Sequence, residues 1–187
     1  GVLNESAPFV EAPFHKPFVS PKPDCASLQH IAEILLKALR PAVIIGKGIR
    51  WSEPYQELRT LIETYRIPFI TSPMGRGLLP DDHPFCGNGA RDFLQQHADS
   101  ILVLGARLNW TFRFGTQLVD HVKLMHVDIA KEELAVHRPN SIMIQAEIRD
   151  VLQGLLQALS KQGKLTAARQ ERAEWITQLR GIEAKCI

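Results

Sequence analysis

Short apolar runs, too brief for helices, alternate along this chain with segments whose apolar residues recur every three or four positions. No other feature restricts the fold as strongly. Residues 42–45 form a mostly β-branched run that closes on Gly46 and is continuous enough for a strand buried on both faces. Before it, Leu28, Ile31, Ile34, Leu35, Ala38 and Leu39 keep helical spacing behind Ser27, a residue type that suits an N-cap, and the pattern stops at Pro41. Tyr55, Leu58, Leu61, Ile62 and Tyr65 mark a second helix ahead of a strand at 68–71. A helix at 89–97 precedes a strand at 100–104, and further strands are expected at 123–127 and 141–144. Ile148, Val151, Leu152, Leu155, Leu156 and Leu159 then make a long amphipathic helix. The alternation predicts an α/β fold: a Rossmann-like parallel sheet of five or six strands with helices on both faces.

With 187 residues, 45% of them hydrophobic, the chain can bury one sizeable core. That core is expected at 27–160. Residues 1–26, with Pro8, Pro13, Pro17, Pro21 and Pro23, read as a Pro-rich linker. Residues 161–187 read as a C-terminal helix or linker towards a further domain, in which Trp175, Ile176, Leu179 and Ile182 have helical spacing but no strand after them. Trp175 and Ile176 are expected to stand exposed there and to favour self-association. The 22 basic and 20 acidic residues are scattered, so the net charge of +2 leaves no footprint of a nucleic-acid or membrane-surface binder. No apolar run approaches the roughly 20 residues of a membrane span. Cys25, Cys86 and Cys186 are odd in number and widely separated, which fits neither a disulfide framework nor a metal site and favours a reducing, intracellular setting. The chain begins with Gly1 instead of Met, which reads as a fragment whose natural start and any address signal lie elsewhere.

In a parallel sheet, ligands meet the carboxyl ends of the strands, so the residues just after each strand carry the functional reading. Gly46, Lys47 and Gly48 follow the first strand; glycines let backbone approach a phosphate and a lysine adds a mobile charge. The spacing matches neither a P-loop nor a dinucleotide fingerprint, and an ordinary turn with a solvated lysine explains the tripeptide equally well. After the third strand, Arg107, Asn109 and Trp110 place a guanidinium, an amide and an indole in one loop, where Arg107 suits either a phosphate or a local carboxylate. Asp128 ends the fourth strand and suits either ribose hydroxyls or a local cap. His83, His97, His121, His126 and His137 lack paired metal-ligand spacing, and Cys86 has no nearby base. Ser72, Ser100 and Ser141 lack the glycine-flanked elbow of a hydrolase nucleophile. No acid-base catalyst is identified.

Three stretches taken in order, PAVIIGKG, then IPFITSPMGRGLLPDDHPFCGNGARDFLQQHADSILVLGARLNW, then VDIAKEEL, resemble the central domain of the 2-hydroxyacyl-CoA lyase and oxalyl-CoA decarboxylase family from about residue 28 to 160. The resemblance implies a three-domain subunit of a homo-oligomer whose outer domains, one from each of two subunits, hold thiamine diphosphate and Mg²⁺. The activating glutamate and Gly-Asp-Gly metal motif of those domains have no counterpart here, so the chain is expected to be inactive alone and to partner with missing flanking domains. In the related decarboxylases the central domain binds ADP. The resemblance places Lys47 near phosphate, Arg107 beside the nucleotide, Asp128 and Ile129 at ribose and adenine, and Ile148 against the base, with ADP or the nucleotide of coenzyme A as ligand. An arginine from outside this domain completes that site in the decarboxylases. Arg76 stands where the family more often has lysine, and Ile49-Arg50-Trp51 replaces small residues. The same central fold binds FAD in acetolactate synthases, and elsewhere it bridges domains with a vestigial pocket. A cytoplasmic or peroxisomal location goes with the family.

Overall fold

The computed structural model describes residues 19–134, 136, 138, 141–162 and 169–183, so most of the expected linker, His137 and Cys186 lie outside the described residues. The first helix, α1 (Cys25–Lys37), starts from Asp24, whose carboxylate accepts the Ser27 N–H at 2.8 Å. Ser27, expected as the cap, instead lies inside the first turn. An aspartate three residues earlier starts the helix one turn sooner, satisfies the Ser27 N–H and adds a negative charge at the positive end of the helix.

Strand β1 (Pro41–Ile45) is buried throughout and leads to a single helical turn, α2 (Ile49–Ser52), and then to α3 (Tyr55–Tyr65). After these come β2 (Phe69–Thr71), a 3-10 turn at Asn88–Ala90, α4 (Arg91–His97), β3 (Ser100–Leu104), β4 (Lys123–Asp128) and β5 (Ile142–Gln145). Two long helices, α5 (Ile148–Gln162) and α6 (Arg169–Glu183), end the described chain. All strand pairs are parallel and the order is β2-β1-β3-β4-β5. The chain leaves β1 towards β2 on one side and returns to β3 on the other, so the strand order reverses between β1 and β3.

Alternate side chains of each strand feed two separate cores, as the period of two requires. Val43, Ile45, Leu102, Leu104, Met125 and Val127 join α1, α3 and α5 on one face. Ala42, Ile44, Ile70, Ile101, Val103 and Leu124 join α4 and α6 on the other. This second face corrects the expectation for the C-terminal segment. Trp175 is only 1% exposed and packs with Leu179 against the sheet, and Ile176 is buried as well. The expected self-association through exposed Trp175 and Ile176 therefore loses its basis.

The seat of α6 is polar as well as apolar. Arg172 is fully buried, and its guanidinium donates to the carbonyls of Leu35, Ala38 and Tyr65. It thereby caps the end of α1 and the last residue of α3, where helix carbonyls lack intrahelical partners. Burial lowers its pKa to about 10, with nearby Asp99 opposing the shift. The Asp99 carboxylate in turn accepts the N–H groups of Leu39 and Arg40. One turn is thus held from both polarities. Trp175 completes the seat by donating its indole N–H to the Pro41 carbonyl at 3.1 Å. Among the described residues, no helix is long and apolar enough to cross a membrane.

Candidate functional site at the carboxyl edge of the sheet

Because every strand is parallel, the segments beginning at Gly46, Ser72, Gly105, Ile129 and Ala146 all emerge at one edge. At the reversal point the turns after β1 and β3 touch backbone to backbone. Gly46 N donates to Leu104 O at 2.9 Å, and Gly48 N donates to Gly105 O at 2.9 Å. A β-carbon on Gly46 would overlap the Gly105 carbonyl oxygen, and one on Gly48 would stand 2.9 Å from Gly105 Cα. Gly105 itself has φ of +58°, a region that side chains rarely adopt. The glycines of this turn are therefore required by packing of the protein against itself, a different reason from the close phosphate approach suggested by their sequence. With only four residues in α2, no long helix dipole stands behind the turn.

Lys47 is exposed beside this junction. Arg107, two residues past Gly105, has its side chain 68% exposed, and its Nε lies 2.8 Å from Glu133 Oε1. Asp128, at the end of β4, is 9% exposed, and its Oδ1 accepts the Ala130 N–H at 2.9 Å, which fixes the carboxylate in a local turn. The half-buried Ile129 follows, with its carbonyl accepting from Gln145 Nε2. Ile148 is buried in the core directly beneath the Gly105 turn, so it forms part of the floor under the site. The sheet thus brings Gly46, Lys47, Gly48, Arg107, Asp128 and Ile129 to the ends of three adjacent strands, with Ile148 below them.

Of the other residues at this edge, Arg91 is one that sequence reasoning missed. Arg91, the first residue of α4, donates to the carbonyl of Thr71, the last residue of β2, and lies 5.2 Å from the centre of the Phe112 ring. Burial lowers its pKa, and neighbouring Arg76 adds to that shift. A basic residue opposes the dipole at a helix start, and that mismatch is the signal by which Arg91 could have been found. Arg50 reaches towards the Arg76 carbonyl. His126, 1% exposed in β4, contacts the Ala106 carbonyl through Nε2 at 3.0 Å and so ties β4 to the residue preceding Arg107. Burial holds its pKa below the ordinary histidine value, and the nearby Asp128 charge and the Ala106 contact oppose this.

Two tryptophans near this edge lie open to solvent, one in the departure at Ile49-Arg50-Trp51 and one in the stretch that carries the resemblance. Trp51 is 78% exposed on α2, and Trp110 is 74% exposed beyond β3. In the loop after Trp110, Arg113 and Phe114 have φ of +47° and +52°, strained values for residues with side chains, and Arg113 pairs with Asp92 at 3.1 Å. A cavity of about 350 Å³ opens at the opposite edge, between the start of β3 and α6. It is lined by Leu39, Arg40, Asp99, Glu171, Glu174 and Trp175 and belongs to the seat of α6, away from the strand ends that carry Lys47, Arg107 and Asp128. The chemistry available at the carboxyl edge is recognition: cations for an anion and a carboxylate for hydroxyl donors. Among the described residues, no three His, Cys, Asp or Glu side chains are grouped to hold a metal ion.

Residues 28–155 match the family model described as thiamine pyrophosphate enzyme, central domain. The 2-hydroxyacyl-CoA lyase 1 of Homo sapiens is 38% identical over 132 residues, which cover 70% of this chain and 23% of that protein. The oxalyl-CoA decarboxylase of Escherichia coli K12 is 35% identical over 136 residues, covering 72% of this chain and 24% of that protein. Among solved structures, the benzoylformate decarboxylase from Polynucleobacter necessarius shares the fold, with a TM-score of 0.64 and 20% identity over 83% of this chain and 30% of that one. The chain therefore spans about a quarter of the length of the two sequence relatives. With the family model covering most of the parallel sheet and its helices, the chain belongs to the thiamine pyrophosphate enzymes, whose central domain it carries, and is related to the 2-hydroxyacyl-CoA lyases and oxalyl-CoA decarboxylases.

Proposed function

We propose that this chain is the central domain of a lyase acting on 2-hydroxyacyl-CoA or oxalyl-CoA, that it binds an adenine nucleotide at the carboxyl edge of its sheet, and that it is inactive alone. The observation that carries this reading is the placement of Lys47, Arg107 and Asp128 on three adjacent strand ends at and beside the reversal point. Lys47 and Arg107 supply charge for a diphosphate, and Asp128 supplies an acceptor for ribose hydroxyls. The Ala130 N–H holds one oxygen of that acceptor in place, so less ordering is needed on binding. ADP, or the nucleotide part of coenzyme A, fits this set of groups. Among the described residues, no three His, Cys, Asp or Glu side chains are grouped to hold a divalent ion. The described residues do not fit Mg²⁺-bound thiamine diphosphate, and no catalytic step is assigned to them. In this reading the cofactor belongs to flanking domains of the parent homo-oligomer.

The Arg107–Glu133 ion pair favours a second reading, a bridging module whose pocket is vestigial, because such a module would keep its cations internally paired. Calorimetry with ADP separates the two. The nucleotide reading predicts binding that weakens about tenfold in Arg107→Ala, the loss of one charge-assisted contact. It also predicts that Asp128→Ala weakens ADP more than inorganic pyrophosphate, which has no ribose. No heat at millimolar ADP, or equal binding by Arg107→Ala, supports the bridging module.

A further inference from the structure

The nucleotide reading gives no role to Glu133. Its carboxylate stands 2.8 Å from Arg107 Nε, and it is the more sheltered partner, 23% exposed against 68% for the arginine. It also rides on the same loop as the proposed ribose acceptor. Asp128 Oδ1 accepts from Ala130 N, Ala130 O accepts from Glu133 N at 3.1 Å, and the 3-10 turn Lys131–Glu133 fixes the spacing. One short loop therefore presents a carboxylate to ribose and a second carboxylate to the arginine of the neighbouring strand end.

We infer that Glu133 is an intramolecular competitor for the nucleotide: it occupies Arg107 when the site is empty, and phosphate must displace it. This rests on the nucleotide reading and adds to it a residue that sets affinity. Two arguments favour competition over simple support of Arg107. The Arg107 Nε–H that a phosphate oxygen would take is held by the Glu133 carboxylate, so the two acceptors exclude one another there. The pair is also solvent-exposed on the arginine side, so its strength lies in the range that a diphosphate can overcome. Displacement would free Glu133 while the same loop engages ribose through Asp128, coupling the two strand ends.

The test compares ADP binding by the 187-residue chain with that of Glu133→Gln, Glu133→Ala, Arg107→Ala and the double variant Arg107→Ala/Glu133→Gln, each first shown to keep the parent melting behaviour. Competition predicts that Glu133→Gln and Glu133→Ala bind ADP about two- to fivefold tighter, the size of an exposed ion pair relieved. The gain should vanish when Arg107 is already alanine, a dependence that a general change in loop structure would not produce. Unchanged or weaker binding in both Glu133 variants, with measurable binding by the parent chain, overturns the competitor role and leaves the nucleotide reading intact. No binding of ADP by any form overturns both.

Discussion

Gly46 and Gly105 meet backbone to backbone where the strand order reverses, Gly46 donating to the carbonyl that precedes Gly105, with no room for a β-carbon between them. This contact sets the separation of the loops that carry Lys47 and Arg107. Gly46→Ala would push backbone atoms apart, since what it meets is a carbonyl oxygen and the Ala106 main chain, neither of which can swing aside. Destabilisation of about 3 kcal/mol is expected, the upper end of overpacking effects, read as a lower urea midpoint at constant slope.

Arg172 makes a second stability prediction. Arg172→Ala leaves the carbonyls of Leu35, Ala38 and Tyr65 buried without their donor, and a loss on the order of 3 kcal/mol follows. Trp175→Ala, which empties part of the same face, should lose about 3–5 kcal/mol. If α6 were only a connector towards another domain, both variants would unfold at the parent's denaturant concentration.

His126 predicts a dependence on pH. Its folded-state pKa lies below the 6.5 of the free side chain because burial disfavours the charged form. The unfolded chain therefore binds the proton first as pH falls. The contribution of the neutral, buried ring is complete above pH 6.5 and is lost as pH falls through the folded-state value. Thermal melts from pH 7.5 down to pH 5 should show a falling midpoint, and His126→Gln should flatten that fall.

Catalysis supplies another check. The chain supplied with thiamine diphosphate and Mg²⁺ should turn over neither a 2-hydroxyacyl-CoA nor oxalyl-CoA, because no three His, Cys, Asp or Glu side chains are grouped among its described residues to hold the metal. Thiamine-dependent product formation by the purified chain would contradict this.

Strands β1, β2 and β3 were legible because they are buried on both faces, so that residues such as Val43 to one side and Ile44 to the other read as an unbroken apolar run. The expected fifth strand, at 141–144, lies one residue later, at Ile142–Gln145. What could not be read was tertiary. Trp175 and Leu179 sit in a charged stretch whose spacing indicates a helix but not the surface it covers, and Arg172 looks solvated in sequence although its partners are carbonyls more than a hundred residues away. At the carboxyl edge, the rule that loops after parallel strands share one side was enough to bring Lys47, Arg107 and Asp128 together. The Glu133 partner of Arg107 depends on how the loop after Asp128 folds back through its Asx turn, which spacing alone does not specify.

Amide chemical shifts of the labelled chain, followed through a titration with ADP, test the central claim most directly because they locate the ligand as well as detect it. Nucleotide bound at the carboxyl edge gives saturable shifts concentrated at Lys47, Gly48, Ala106, Arg107, Asp128 and Ile129, with little change at Leu39, Arg40, Asp99 and Glu174 on the opposite edge. An unchanged spectrum at millimolar ADP, or shifts centred on that opposite edge, would contradict it.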